Sequence, residues 1–272
     1  MRKLFCEISP LTFKLSVWKC QLARHASDVF SGERIARERS AEPLPHLIYS
    51  SSSLIRRRLG NVDLRLQENK AVNLGIAAPK LSGLLVRPGE TFSFWRTVGS
   101  NSAKNGYKEG LTISRGEPSS GVGGGMCQMT NMIHWLVLHS PLTITEHHHH
   151  DSLDLFPDFG RVIPFGTGTS IKYNYLDYRF RNDTEAVWQL IIYTDDTHLH
   201  GELRSDRPTE LSYHIHAEDE YFSREDGVVY RNGTVVRDSI DKRTGNRAAS
   251  EVIKTNHARV MYDTAGLEIR EE

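Results

Sequence analysis

The sequence predicts an α+β protein: a mostly antiparallel sheet around a central helix that follows a glycine-rich loop, with a helical segment before it and a small β extension after it. From about Lys70 onward, short apolar runs bounded by Pro and Gly recur, which is the pattern of strands joined by tight turns. The stretch Cys127–Leu138 contains neither Gly nor Pro, directly follows glycines at 121, 123, 124 and 125, and stops shortly before Pro141, so it reads as the helix. No internal repeat is visible, and the order of elements favours an antiparallel over a doubly wound sheet.

Residues 1–75 read as a helical lead-in rich in Arg, Lys and Ser. Spaced apolar residues over 18–37 suit a helix, and Glu42-Pro43-Leu44-Pro45 should break it. The run 50–58, serines followed by Arg56, Arg57 and Arg58, reads as the start and exposed face of a solvated helix, with a patch for an anionic partner as the sharper alternative. Residues 76–200 form the core domain, with strands expected at 84–86, 91–95, 142–146, 170–178 and 188–193. Residues 201–272 form a β-rich extension with strands at 211–216 and 228–236, where Asn232-Gly233 signals a tight hairpin.

Composition excludes several classes. With 38% hydrophobic and 25% charged residues the chain is globular rather than disordered. Lys plus Arg equals Asp plus Glu, 34 against 34, so no net field draws the molecule to nucleic acid, and no nucleic-acid partner is expected. No segment reaches the roughly 18 consecutive apolar residues of a membrane span. Glu7, Pro10, Lys14 and Lys19 interrupt the opening residues, which argues against a signal peptide. The expectation is a soluble, cytoplasmic protein whose three cysteines, Cys6, Cys20 and Cys127, are free thiols.

Cys127 sits where the glycine loop becomes a helix. Unpaired N–H groups at a helix start favour negative charge, so a thiol there should ionise readily. Gly123, Gly124 and Gly125 can turn successive N–H groups toward one point, and with the Gln128 amide they would form an oxyanion hole. His134 lies two helical turns on, about 10 Å away, too far to act directly as the base. Among His147, His148, His149 and His150, strand alternation puts His148 and His150 on one face and His147 and His149 on the other, so one pair can face the cysteine. Glu146, Asp151 and Asp154 are the acids that could orient an imidazole.

Three readings of Cys127 stand side by side: nucleophile, inert buried thiol and metal ligand. The histidine run reads equally as a polar surface stretch. No cofactor is expected, with zinc held by His148, His150 and an acid or Cys127 as the alternative. Arg161 could clamp a substrate carboxylate or pair with Asp158 or Asp154. Trp95, Trp135 and the tyrosines of 173–178 read as core.

The motifs Arg87-Pro88-Gly89-Glu90-Thr91-Phe92-Ser93-Phe94, Gly106-Tyr107 with Gly110, Gly121-Val122-Gly123-Gly124-Gly125-Met126-Cys127-Gln128, Glu146-His147-His148-His149-His150 and Asp177-Tyr178-Arg179-Phe180-Arg181-Asn182-Asp183-Thr184 follow one another along the chain. In this order they resemble the VanW family, most densely over residues 79–193. The segment 133–139 and the tail near 257–262 are similar to the stand-alone, resistance-cluster type. The resemblance implies a link to glycopeptide resistance and the cell wall. Some exported proteins with this domain are similar to L,D-transpeptidases in activity, which makes Cys127 the nucleophile. The family's His-x-His pattern falls on His148 and His150, giving a base and an orienting residue. The implied partner is a peptidoglycan stem peptide or a soluble cell-wall precursor, and a non-catalytic binding module for such precursors is the alternative. Asp151 stands where the family more usually has Ser.

Overall fold

The computed structural model describes residues 4–56, 63–114, 117–149, 153–155, 157–158 and 163–271. Helix α1 (Pro10–Phe30) opens on a capping box, in which Ser9 accepts from the Thr12 amide and Thr12 accepts from the Ser9 amide, with Pro10 in the first turn. After β1 (Arg34–Ile35) the chain departs from the expected helical lead-in. Residues 46–54 form an extended strand, β2 (His46–Leu54), paired antiparallel with β11 (His198–Ser205). Serines compete for backbone hydrogen bonds and weaken a helix, while the neighbour that makes them a strand lies about 150 residues away, where local propensity carries no information.

Helix α2 (Leu64–Leu81) is capped by Asp63 and buries Asn73, Leu74, Ala77 and Leu81 on one side. There follow β3 (Leu84–Val86), β4 (Glu90–Ser93), a short α3 (Phe94–Val98) and the hairpin β5 (Glu109–Ser114) with β6 (Glu117–Val122). The expected central helix is α4 (Cys127–Leu138), all but three of whose residues are buried. The remaining strands are β7 (Thr143–Glu146), β8 (Leu153–Asp154), β9 (Arg179–Arg181), β10 (Trp188–Thr194), β12 (Leu211–Glu225), β13 (Val228–Asp241), β14 (Arg247–Val260) and β15 (Ile269–Glu271).

Among the described residues the strands form sheets in the orders β1-β4-β9-β7, β2-β11-β10-β3 and β15-β12-β13-β14-β8, beside the β5–β6 hairpin. Pairing is mostly antiparallel, as expected, with parallel contacts at β1–β4, β12–β15 and β14–β8. Leu74 and Leu81 of α2, Met129, Ile133 and Leu136 of α4, and Trp188, Leu190 and Leu203 of the second sheet share one core with Phe92 and Phe180. Burial of such side chains contributes roughly 1.5–3 kcal/mol each.

Two further expectations are corrected. Residues 170–178 are a turn rather than a strand: Asn174 adopts a left-handed conformation (φ 46°), and Lys172 bridges to Leu176. Asn232-Gly233 lies inside the continuous β13, opposite a register shift in β12 near Asp219, and Asn232 is buried with its amide donating to Ser223 Oγ at 2.8 Å. The tight turn falls instead at Asp226-Gly227, where φ values of 48° and 78° give the two left-handed residues of a type I′ hairpin. Arg231 of β13 ties the tail to the body: its guanidinium is buried and pairs with Asp154, Asp158 and Glu220.

Candidate functional site

A cleft of about 970 Å³ opens beside the start of α4. Cys127, Gln128 and Asn131 of α4 line it together with Ser50, Ser51, Ser52 and Ser53 of β2. Residues 163–169, His149, and Lys254 and Asn256 of β14 also line it, as do Lys70 of α2 and His200 and Glu202 of β11. The walls therefore come from the lead-in, the core and the tail alike. Cys127 is partly exposed to this cleft.

The glycine turn before Cys127 is a packing device. Gly124 lies so close to β5 that a Cβ on it would stand 2.2 Å from the Gly110 carbonyl oxygen, and a Cβ on Gly110 would stand 2.6 Å from the Gly124 oxygen. Both positions must be glycine for the backbones to approach. Buried Asn73 fixes the arrangement, donating to the Gly124 and Lys108 oxygens and accepting from the Lys108 amide. The Gly123, Gly124 and Gly125 amides donate to the Lys108, Gly121 and Leu111 carbonyls. They are committed to holding the turn and do not converge on the sulfur as expected. The Gln128 amide is likewise engaged, donating to Ser53 Oγ at 2.8 Å and Leu54 O at 3.0 Å. Its place is at the seam between α4 and β2.

The ready ionisation expected of Cys127 is also corrected. Burial pushes the thiol up from its ordinary range, and hydrogen bonds from the Ile171 and Cys127 backbone amides only partly offset this. Thr169 locks the neighbouring segment to α4: its amide and hydroxyl donate to Asn131 Oδ1 at 2.7 and 2.8 Å, and its hydroxyl bonds Thr130.

Among the described residues the histidine run divides as alternation has it, with His147 and His149 together and His148 apart. β7 ends at Glu146 and its register shifts between Ile144 and Glu146. His148 turns to Glu146, with Nε2 2.9 Å from Oε1. His149 lines the cleft with Cys127. His147 donates through Nε2 to the Gly168 carbonyl at 3.0 Å, and its ring lies 3.9 Å from that of His149 and 4.1 Å from that of His134. His134 is buried, with Nδ1 3.1 Å from the Tyr178 hydroxyl; burial, then the neighbouring His147 and His149, hold it well below the ordinary histidine range. A file of imidazoles thus runs from the cleft into the core. His150 and Arg161 lie outside the described residues, and so does Asp151. Asp154, offered as an orienting acid, instead accepts from Tyr262 at 2.8 Å and pairs with Arg231, as Asp158 does. Among the described residues no group of three or more His, Cys, Asp or Glu could hold a metal ion.

Behind His148 lies a buried ionic network. Glu146 pairs with Arg24 of α1 and accepts from the Asp177 amide at 3.0 Å. Burial works against its charge, but the hydrogen bonds from Arg24 and His148 prevail and hold its carboxyl below the ordinary range. Arg179 donates to Asp28, Glu33 and Asp177 at 2.7, 2.8 and 2.9 Å. This network docks α1, and it explains the Asp177 and Arg179 positions of the last motif structurally. The sequence offered no signal for His149 over His148 or for Ile171. The density of glycine at 110, 121 and 123–125 was the legible trace of the turn.

The glycine turn, the cysteine at its end and the histidines all fall within the span matched by one protein family. The family profile described as "VanW like protein" matches residues 69–204. The vancomycin B-type resistance protein VanW of Enterococcus faecalis is 31% identical over 261 residues, covering 96% of this chain and 94% of that protein. The chain belongs to the VanW family. It is also 30% identical over 118 residues to the uncharacterized protein YoaR of Bacillus subtilis, covering 42% of this chain and 36% of that one. No solved structure matches the fold. Through its family the chain is linked to vancomycin resistance.

Proposed function

We propose that the chain is a cysteine-dependent acyl transferase acting on peptidoglycan stem peptides or their soluble precursors, with Cys127 as nucleophile and His149 as its base. The observation that carries this reading is that Cys127 and His149 line one cleft of about 970 Å³, large enough for a short peptide. Because burial keeps the thiol protonated at rest, the proton leaves as the substrate is attacked. The Cys127 S–H proton passes to the His149 ring while the sulfur bonds the carbonyl carbon preceding a terminal D-alanine. Hydrogen bonds from the Ile171 and Cys127 amides, which already favour negative charge on the sulfur, would stabilise the carbonyl oxygen as it becomes negative. The amide C–N bond then breaks, the imidazolium returns its proton to the departing D-alanine amine, and a thioester remains. An amine of a second stem, or water, attacks that thioester; its proton passes through the imidazole to the sulfur, restoring the thiol.

A second reading, a binding module for such precursors, is favoured by the same raised thiol. Mass spectrometry after incubation with stem tetrapeptide separates the two. Acyl transfer gives a tripeptidyl adduct on wild type, absent from Cys127→Ala and strongly reduced in His149→Gln. Saturable binding by calorimetry with no adduct on wild type refutes the enzyme and leaves the module.

A further inference from the structure

Helix α1 places Leu11, Leu15, Trp18, Leu22 and Val29 within a sector of about 60° at helical spacing. These side chains are 67, 47, 60, 53 and 70% exposed. The preceding turn adds exposed Phe5 and Ile8. A contiguous apolar stripe of this kind on a folded protein marks an interaction surface. The opposite side of α1 is the docked one: Gln21 donates to the Tyr173 carbonyl, Arg24 pairs with Glu146 and Asp28 with Arg179.

Charge on the outward side has one sign. Lys14 and Lys19, both exposed, flank the stripe on its two margins, and the one acid of α1, Asp28, lies on the docked side in ion pairs with Arg24 and Arg179. A second copy of this stripe would bring lysine margins against lysine margins with no acid to pair them. An anionic lipid surface complements the pattern: the apolar side chains enter the headgroup boundary, Trp18 sits at the interface, and the lysines reach phosphates on either side. The described residues include no helix long and apolar enough to cross a membrane, so α1 would lie on the surface rather than span it.

We propose that α1 is a membrane-surface helix that docks the domain on anionic lipid bilayers through the Leu11, Leu15, Trp18, Leu22 and Val29 stripe. Trp18 is the reporter, because Trp95, Trp135 and Trp188 are all buried. The full chain is mixed with phosphatidylglycerol–phosphatidylcholine vesicles or with pure phosphatidylcholine vesicles, and flotation and tryptophan emission are recorded. Flotation with the anionic vesicles and a blue shift of emission are expected. Each lysine near an anionic surface strengthens partitioning roughly fivefold. Lys14→Gln with Lys19→Gln should therefore weaken it on the order of 25-fold, and Leu15→Gln with Leu22→Gln should abolish the blue shift. All four positions are exposed, so unchanged thermal unfolding confirms that the variants fold. Failure to float with anionic vesicles overturns the proposal, as does equal binding to neutral ones. A doubling of molar mass by light scattering, with Trp18 shielded in the absence of lipid, assigns the stripe to a second copy instead. Cys127→Ala should bind as wild type does, which keeps this result independent of the chemistry in the cleft.

Discussion

Removing His139 should flatten the acid side of the stability profile. His139 follows α4, is 9% exposed, stacks on Tyr49 with ring centroids 3.5 Å apart and donates from Nδ1 to the Trp135 carbonyl at 2.7 Å. Burial, which outweighs the bond to Trp135 and is reinforced by Arg237 and His214, lowers its pKa from 6.5 to about 4. Above 6.5 the ring is neutral in folded and unfolded chains, and it contributes no pH dependence. Between 6.5 and about 4 only the unfolded chain takes up the proton, so stability falls as pH falls, by about 1.4 kcal/mol per pH unit. Over the whole window the loss is about 3 kcal/mol, and below it both states are protonated and the slope ends. His139→Asn keeps a donor for Trp135 and removes the titration. Urea unfolding at a series of pH values should show the slope reduced by one proton relative to wild type, with the remaining dependence including that of His134, which is displaced in the same direction. Equal slopes in the two proteins would refute the assignment.

Two other perturbations test the frame around the cleft. Arg179→Met leaves Asp28 and Asp177, 5% and 3% exposed, with Arg24 as their remaining cation and should cost about 3 kcal/mol by denaturant unfolding; limited proteolysis should then cut within α1 first, and an unchanged cleavage pattern would mean that α1 docks by other means. Gly124→Ala forces a methyl against the Gly110 backbone and should cost about 1–3 kcal/mol while changing the rate at which iodoacetamide labels Cys127. Normal stability and normal labelling together would show that the turn tolerates separation.

Legibility followed the range of the interactions. Helix α4 could be read because its start, its freedom from Gly and Pro, and its stop are all local. The Pro-Gly-bounded strand β3 and the antiparallel character of the sheets followed from local pattern in the same way. β2 could not, since four consecutive serines have no apolar alternation and become a strand only against β11. The side of the histidine run that meets Cys127 escaped because alternation separates His147 and His149 from His148 without saying which side faces the cysteine. The ionisation of Cys127 was misread because a helix start was visible in sequence while the burial that outweighs it was not. In the tail the Asn-Gly and Asp-Gly dipeptides are both turn formers, and the buried amide of Asn232 decided between them.

The Arg231 junction changes what the last quarter of the chain is for. It grips Asp154, which lines the cleft, together with Asp158, and Lys254 and Asn256 from the same sheet lie on the same border. Cutting the polypeptide after β11 would therefore not trim an ornament; it would leave the cleft open on one flank. Substitutions at Lys254 or Asn256 would reshape that flank without touching the sulfur.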